Sequence, residues 1–230
     1  AYDIWLPKDV SEHGAAVDGL FYFILGLTGV VFIGTELCLF WFIWKYDEKN
    51  EAEVKYRHGS HVLEVVWTVI PAAVLLFLAI YQMNTWADVK MRRPNMAPTV
   101  EVIGRQFEWR LRYPGRDGVL GTPDDLHLVN DLHLPIDEDI LIQLKSMDVL
   151  HSFFLPNVRI KQDAVPGMKI PVWFKAREEG VFDIVCAELC GWGHYKMKGR
   201  VTFESRESFD QWLEVKYQEQ EATQPSGTEI

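Results

Sequence analysis

The stretch TVEVIGRQFEWRLRYPG, residues 99–115, alternates between apolar and polar side chains and ends at a Pro-Gly turn signal. The apolar parity carries Phe107, Trp109, Leu111 and Tyr113, and the polar parity carries Gln106, Glu108, Arg110 and Arg112. Successive side chains of a strand point to opposite faces, so the pattern predicts strand structure with one buried and one solvated face.

The same alternation continues along the chain and predicts an all-β domain. It recurs in DILIQLKS (139–146), KIPVWFKA (169–176) and GVFDIVCA (180–187), with a turn-rich loop at GRDGVLGTPDD (115–125). Strands without intervening helices indicate a Greek-key sandwich or barrel, here over residues 96–207. From 208 to 230 we expect one helix, SFDQWLEVKYQEQEA, followed by a polar tail.

Two apolar stretches precede the strand-rich region. Residues 20–44 contain one formal charge and residues 65–87 contain none, and each exceeds the roughly 20 residues that cross a bilayer core. They predict a transmembrane helical hairpin over residues 20–95. Residues 1–19 then form a segment on the same side of the membrane as the strand-rich domain, because two spans return the chain to the side where it started.

The charge and cysteine content restrict the partners. A net charge of −10 argues against nucleic acid and favours a basic protein partner. Three cysteines cannot build a disulfide framework, and Cys38 lies in the first apolar stretch, far from the other two. No C-x-x-C-H motif occurs, so no haem c attached to this chain is expected.

The stretch CAELCGWGHYKM, residues 186–197, concentrates metal-binding side chains in the pattern C-x3-C-x3-H-x2-M. Thiolate, thioether and imidazole favour copper over magnesium, calcium or manganese. A single blue-copper ion needs one cysteine, so the second thiolate indicates a pair of bridged copper ions. Each ion then needs an imidazole, and His151, between two predicted strands, is the candidate beside His194. Met197 supplies one weak axial ligand.

Two simpler interpretations remain open for this motif. A disulfide between Cys186 and Cys190 would leave His194 and Met197 unexplained. A structural zinc site of two cysteines and two histidines is chemically possible.

The motif resembles the dicopper loop of cytochrome c oxidase subunit II. The resemblance covers nearly the whole chain, including HVLEVVWTVIP, GRQFEW and HSFFLPNVRIKQDAVPG. It implies a cupredoxin-like fold for the domain, with Cys186 and Cys190 as bridging ligands of a CuA centre and His151 and His194 as one ligand each. It also implies Met197 and the backbone carbonyl of Glu188 as axial ligands.

The family resemblance also implies a function. Such a subunit accepts electrons from cytochrome c and passes them to haem in subunit I, where oxygen is reduced to water and protons are pumped. We therefore expect a two-pass protein of a bacterial cytoplasmic or mitochondrial inner membrane, with both termini and the copper domain on the outer side. A quinol oxidase subunit II would lack the copper ligands. A nitrous oxide reductase is longer and lacks the hairpin, and a copper carrier would need an exposed site.

Further roles follow from the resemblance position by position. Glu64 matches a glutamate at the mouth of a proton pathway, although a carboxylate at a helix start is also favoured by the helix dipole. The Glu188 side chain matches a ligand of magnesium at the subunit I interface. Phe107 stands where many relatives carry Trp, so electrons are expected to enter through Phe107 or Trp109, unless Phe107 only packs inside the sandwich.

Acidic side chains cluster in DDLHLVNDLHLPIDED, residues 124–139, without lysine or arginine. We expect a docking surface for a basic cytochrome c there, or else a solvated loop face. The docking residues would be Asp124, Asp125, Asp131, Asp137, Glu138 and Asp139. Glu36, a carboxylate inside the first span, needs a partner or a proton, and we expect it to face subunit I.

Overall fold

A computed structural model describes residues 6–47 and 58–223. Within these ranges the chain forms two compact units, one of residues 16–86 and one of the remaining described residues. The predicted polar tail beyond residue 223 lies outside the described residues.

Two long apolar helices, α1 (Gly14–Lys45) and α2 (His61–Lys90), contain both predicted spans. Their lengths of 32 and 30 residues exceed the roughly 20 residues that a bilayer core requires. Phe23 of α1 packs against Phe77 and Tyr81 of α2, but none of the most apolar window of either helix is buried. An apolar surface that the protein leaves uncovered fits contact with lipid.

Ten strands follow the helices and form two five-stranded sheets, with the orders β3-β2-β1-β5-β8 and β4-β10-β9-β6-β7. The strands are β1 (Val100–Arg105), β2 (Glu108–Tyr113), β3 (Leu126–Val129), β4 (Asp131–Pro135), β5 (Ile140–Ser146), β6 (His151–Leu155), β7 (Ile160–Ala164), β8 (Ile170–Phe174), β9 (Gly180–Cys186) and β10 (Lys198–Glu204).

The alternation in the opening stretch predicts its buried face correctly but not its turn. Trp109, Leu111 and Tyr113 are buried, as their shared parity indicates. The chain reverses at residues 106 and 107, so the stretch is a hairpin of β1 and β2 rather than one strand. Phe107 therefore lies in a tight turn, half-buried against the core.

The strand pairing confirms the expected cupredoxin-like Greek-key sandwich. Neighbouring strands are antiparallel except for two parallel pairs, β1 with β5 and β4 with β10. All odd-numbered strands run toward one end of the sandwich and all even-numbered strands run away from it. We call this end the β9–β10 end, after its longest loop, and the other the β2–β3 end.

A third helix, α3 (Arg206–Thr223), packs on the sandwich. Trp212 stacks on the His133 ring with centroids 4.0 Å apart, and Phe209 is buried against the core. His133 also contacts Glu204 through Nδ1 at 2.8 Å. His133 is thus a half-buried residue of strand β4.

Residues 7–12 are attached to the sandwich at its β2–β3 end. The Val10 N–H donates to the Asn157 carbonyl at 2.9 Å, and the Arg177 N–H donates to the Val10 carbonyl at 2.8 Å. The Val10 side chain is buried. Near the same end, the Trp173 indole N–H donates to the carbonyl of Asp88, close to the end of α2.

Candidate metal centre

The metal-binding motif forms the loop between two paired strands. β9 ends at Cys186, a short 3-10 turn covers His194–Lys196, and β10 begins at Lys198. The Cys186 N–H donates to the Met197 carbonyl at 3.2 Å, which closes the base of the loop. This closure holds both ends of the motif together, so the side chains between them converge on one site.

The two thiols lie side by side, each beside one imidazole. Sγ of Cys186 is 3.8 Å from Sγ of Cys190, a separation compatible with two thiolates that share a metal at metal–sulfur distances of about 2.3 Å. His151 Nδ1 lies 4.0 Å from the first sulfur, and His194 Nδ1 lies 3.7 Å from the second. His151 belongs to β6, so the fold supplies this imidazole from outside the loop.

Two weaker donors complete the cluster, one at each sulfur. Met197 Sδ lies 3.7 Å from Sγ of Cys190, and the Glu188 carbonyl oxygen lies 3.2 Å from Sγ of Cys186. The structure thus brings together all six donors predicted for the metal. Two thiolates, two imidazoles, a thioether and a carbonyl form a soft set that fits copper better than a hard cation.

The cluster is shielded from water. His151, Cys190 and Met197 are buried, whereas Cys186 and His194 are partly exposed. The donor atoms of His151, Cys186 and Cys190 lie within 4.8 Å of one another. A site shielded from water favours metal binding by the soft ligands of the protein, because few water molecules compete for the metal ion.

The two thiols differ in acidity. Burial alone would raise the pKa of Cys186, but hydrogen bonds from His151 and from the Ser152 backbone together lower it to about 6. Burial and the neighbouring Cys186 charge raise the pKa of Cys190 to about 11. Since the thiolate is the form that binds metal, the pair must lose its remaining thiol protons when a metal binds.

A second layer of hydrogen bonds orients the ligands. Asp148 Oδ1 lies 2.8 Å from His151 Nε2, which leaves Nδ1 to face the sulfur. The other oxygen of Asp148 accepts from the Gln106 N–H at 2.8 Å, and the Gln106 side chain donates to the Cys190 carbonyl at 2.6 Å. Such partners fix the tautomer and the orientation of metal-binding imidazoles.

The loop needs glycine at two positions. Gly191 has φ +134°, and a Cβ there would lie 2.6 Å from the Gln106 amide nitrogen. A Cβ on Gly193 would lie 2.4 Å from the Phe107 ring. Phe107 therefore packs directly against the backbone of the metal loop.

The two residues predicted for electron entry, Phe107 and Trp109, are not exposed at the surface. Trp109 is fully buried, and its ring lies edge-on to His151 and Phe153. The parity that makes it apolar also points it into the core, so it offers a donor no surface contact, and its role in electron entry stays a prediction. Phe107 is half-buried in its turn beneath the metal loop.

The predicted acidic docking surface is split by the fold. Asp124 and Asp125 lie at the end of the loop before β3, and residues 137–139 lie between β4 and β5; both segments are at the β2–β3 end. Only Asp131 lies at the β9–β10 end with the metal cluster. Asp131 and Asp137 are close in sequence, but strand β4 lies between them and each of its residues advances the chain by about 3.3 Å. The two side chains therefore lie at opposite ends of the sandwich.

Several of these acids also have partners in the chain. Asp125 is 1% exposed, accepts from the Gly121 N–H and lies 3.5 Å from Arg112 Nε, so it does not belong to any docking surface. Glu138 lies 3.4 Å from Arg206, and Asp139 lies 3.6 Å from Lys175.

The roles predicted for Glu64, Glu36 and the Glu188 side chain stay predictions. Glu64 is exposed in the first turn of α2, with its carboxylate 3.5 Å from His61 Nδ1. Glu36 lies in the middle of α1 and is partly exposed. The Glu188 side chain is partly exposed beside the cluster.

Sequence reasoning missed the supporting residues Asp148 and Gln106. Asp148 offered a signal, because it lies three residues before His151. Gln106 offered none, because the alternation does not reveal the turn that carries it. Only the fold brings that turn to the metal loop.

Comparisons with known proteins give a consistent result. Residues 98–203 match the family described as cytochrome C oxidase subunit II, periplasmic domain, and residues 1–85 match its transmembrane domain. The alternative cytochrome c oxidase subunit 2 of Bradyrhizobium diazoefficiens is 32% identical over 91% of this chain and 83% of its own length. Cytochrome c oxidase subunit 2 of Cereibacter sphaeroides is 29% identical over 84% and 73%.

A solved structure gives a partial match. It is the periplasmic domain of subunit II of cytochrome oxidase from Bradyrhizobium japonicum, with 28% identity and a TM-score of 0.49 over 55% of this chain and 97% of that domain.

Proposed function

The chain belongs to the cytochrome c oxidase subunit II family and is a two-pass membrane component of a haem-copper oxidase, and from this premise we propose that it is the subunit through which electrons enter the complex. The observation that carries the proposal is the pair of sulfurs 3.8 Å apart with a separate imidazole beside each. This arrangement suits two bridged copper ions better than a single ion with four independent ligands.

A bound pair of bridged copper ions would supply one-electron transfer with little change of geometry, because the charge is shared. The residues of this chain would hold that group: Cys186 and Cys190 would serve both ions, and His151 and His194 would bind one ion each. Met197 and the Glu188 carbonyl would be weaker additional donors. Asp148 keeps the His151 ring in the required tautomer through its 2.8 Å contact with Nε2.

In this proposal the electrons come from cytochrome c or a c-type cytochrome domain. They leave for the haem groups of subunit I, where oxygen is reduced and protons are pumped. The partly exposed Glu188 carboxylate, beside the cluster, would bind magnesium at the boundary with that subunit. Hard carboxylate oxygen suits this ion, and the same residue's carbonyl faces the copper site.

The attachment of residues 7–12 supports an outer location for the N-terminus. Val10 and Glu12 make backbone hydrogen bonds to Asn157, Lys175 and Arg177 of the sandwich, and Gly14 begins α1. Asp88, at the end of α2, is bound by Trp173. Because α1 starts and α2 ends at segments bound to the same domain, we place these helix ends on the side of the membrane that carries the copper domain.

Elemental analysis and absorption spectroscopy test this proposal. We expect two copper ions per chain, and an oxidised chain that absorbs in the visible and near infrared as a mixed-valence pair does. Zinc, or a single copper with a blue-copper spectrum, would contradict the proposal and favour the zinc or mononuclear alternative.

Replacement of Glu64 by glutamine tests the proposed proton route. We expect Glu64→Gln to slow oxygen reduction several-fold in the assembled enzyme, because the amide cannot exchange a proton, while copper content and electron uptake stay unchanged. The control is His61→Ala, which removes the 3.5 Å partner of Glu64 and keeps the carboxylate. If Glu64 only stabilises the start of α2 through the helix dipole, Glu64→Gln should lower the stability by about 0.3 to 1 kcal/mol and leave turnover unchanged.

A further inference from the structure

The chain that follows the second apolar stretch bridges the edges of the two sheets. Among the described residues, β7 and β8 are edge strands, each paired with a neighbour on one side only. The Trp173 indole N–H on β8 donates to the Asp88 carbonyl at 3.0 Å, and the Lys90 ammonium donates to the Lys161 carbonyl on β7 at 3.3 Å. We call residues 88–93, which make these contacts, the post-span segment.

Two adjoining cavities lie beside the post-span segment. The larger has a volume of about 290 Å³, and the smaller, of about 130 Å³, shares Arg93 and Pro171 with it. We call the two together the edge pocket, and all of its lining residues belong to one compact unit of the chain. The apolar wall of the larger cavity includes Val89, Met91, Ile160, Ile170 and Val172.

The charged lining of the edge pocket is entirely basic. It consists of Lys90, Arg93 and Lys169, and neither cavity is lined by an aspartate or a glutamate. Asp163, whose charge acts on Lys90, lines neither cavity. Three cations without an acid are a local exception in a chain with a net charge of −10, so the pocket favours an anion.

These cations also have donors to spare. Neither Arg93 nor Lys169 has an ion-pair or hydrogen-bond partner in the part of the chain that the structure describes. Lys90 donates to the Lys161 carbonyl and, at 2.7 Å, to the Gln162 side chain. An ammonium has three hydrogens to donate and a guanidinium has five, so an anion in the pocket would find unused donors on all three side chains.

Another cavity beside the post-span segment has matched charges instead. It has a volume of about 300 Å³ and is lined by acids as well as bases. Its Arg92 forms an ion pair with Asp88, and its Lys175 lies 3.6 Å from Asp139. The bases of that cavity are thus already paired within the chain, which sets Arg92 apart from its neighbour Arg93.

The edge pocket begins where the second apolar stretch ends. Lys90 lies three residues beyond Ala87 in the continuous helix α2, which is about 4.5 Å along the helix axis. The polar layer on each side of a bilayer core is about 5 to 7 Å thick. Lys90 therefore lies at the depth of the lipid headgroups when the apolar stretch crosses the core.

We propose that the edge pocket binds the headgroup of an anionic phospholipid from the adjoining leaflet, with the phosphodiester beside Lys90 and Arg93 and the glycerol against the apolar wall. Ammonium and guanidinium groups are the usual protein donors to phosphate oxygens. The choline or ethanolamine group of a zwitterionic lipid would find no carboxylate in the lining. Pockets for drug-sized ligands measure about 300 to 1,000 Å³, so this pocket suits a headgroup and not a whole lipid.

The test uses the assembled oxidase, delipidated in detergent, with phosphatidylglycerol and phosphatidylcholine of equal acyl chains as probes. Native mass spectrometry counts the retained lipids at each concentration. We expect the double variant Arg93→Gln, Lys169→Gln to retain one phosphatidylglycerol fewer than the wild type, with an affinity at this site lower on the order of 30-fold, because each basic side chain near an anionic lipid contributes about a factor of five. The phosphatidylcholine count should be equal in both.

A phosphatidylglycerol with a photoactivatable headgroup locates the site and its source of phosphate. It should cross-link to residues 88–93 or 169–173 of the wild type, and unlabelled phosphatidylglycerol should suppress the cross-link. Inorganic phosphate and glycerophosphoglycerol carry the same anion without acyl chains and should not suppress it at the lipid's concentration. Equal suppression by these soluble anions would assign the pocket to a soluble phosphate and overturn the lipid proposal.

Matched variants separate lipid binding from damage to the fold. Arg92→Gln removes the same charge one residue away, from a side chain already paired with Asp88, and should keep the wild-type lipid count and cross-link. Arg93→Lys keeps the charge and should retain most of the affinity. Copper content and the absorption spectrum should be those of the wild type in every variant.

Two further results would overturn the lipid proposal without touching the proposed function. One is an equal phosphatidylglycerol count in the wild type and the double variant, with an unchanged cross-link. The other is a zero-length cross-link from Lys169 to a carboxylate of another subunit, with no lipid cross-link, which would assign the pocket to a protein interface. Conversely, an oxidase without the copper pair would refute the proposed function and leave the lipid counts as evidence for the pocket.

Discussion

Replacing Cys190 by serine should abolish the mixed-valence absorption and reduce the copper content from two ions to at most one. One remaining thiolate cannot bridge the pair, and Cys190 is the sulfur that contacts both His194 and Met197, at 3.7 Å each. Loss of a supporting partner alone typically costs roughly 10- to 100-fold in metal affinity, and loss of a bridging ligand should cost more. Elemental analysis of the purified oxidase should show a loss of at least one copper ion relative to the wild type, because the copper of subunit I is common to both. Visible to near-infrared spectra measure the loss of the mixed-valence absorption.

Cys38→Ser is the matched control, because it removes the third thiol of the chain from an exposed position in α1. It should leave the spectrum and the copper content unchanged. A copper content equal to that of the wild type and an intact spectrum in Cys190→Ser would show that Cys186 is sufficient and that the bridged pair is the wrong description of the site.

Replacing Trp109 by alanine should destabilise the sandwich by about 3 to 5 kcal/mol, as truncation of a buried tryptophan generally does. The indole is fully buried, with its ring 5.3 Å from Phe153 and 6.1 Å from His151. A cavity there removes packing from the strand that supplies the distant metal ligand. Thermal unfolding, followed by near-ultraviolet circular dichroism, should show a midpoint lower by on the order of 10 °C.

Trp109→Phe separates ring volume from polarity. The indole nitrogen has no hydrogen-bond partner among the described residues, so phenylalanine removes a buried polar group without leaving another unsatisfied. We expect a much smaller loss than with alanine, and a change within about 0.5 kcal/mol for the exposed Val181→Ala. Equal losses for alanine and phenylalanine would mean that packing of the ring does not account for the stability.

Much of the architecture could be predicted from local patterns. The two apolar stretches predict α1 and α2 because the length of a membrane helix is set by bilayer thickness. Alternation predicts the buried faces of β2 and β5 because successive strand residues face opposite sides. It does not locate the turn at residues 106 and 107, since apolar parity continues across a two-residue turn.

The metal motif is local for a different reason. Cys186, Cys190, His194 and Met197 lie within twelve residues, so their donor types and spacing are visible before any fold is known. His151 requires more, because its place beside Cys186 depends on the pairing of β6 with β9. The residue pattern alone makes His151 only a candidate ligand, and the family resemblance is what identifies it as one.

The family of the protein, its membrane hairpin and the donor types of its metal loop could therefore be predicted from the sequence, because chain length, periodicity and donor type are properties of neighbouring residues. The tertiary structure alone decided which acids share a surface and which aromatic side chain is exposed. Asp125 is buried and Asp137 lies far from Asp131, although all three belong to one acidic stretch. Trp109 is buried and Trp192 is exposed for the same reason: burial depends on which distant strands cover a side chain.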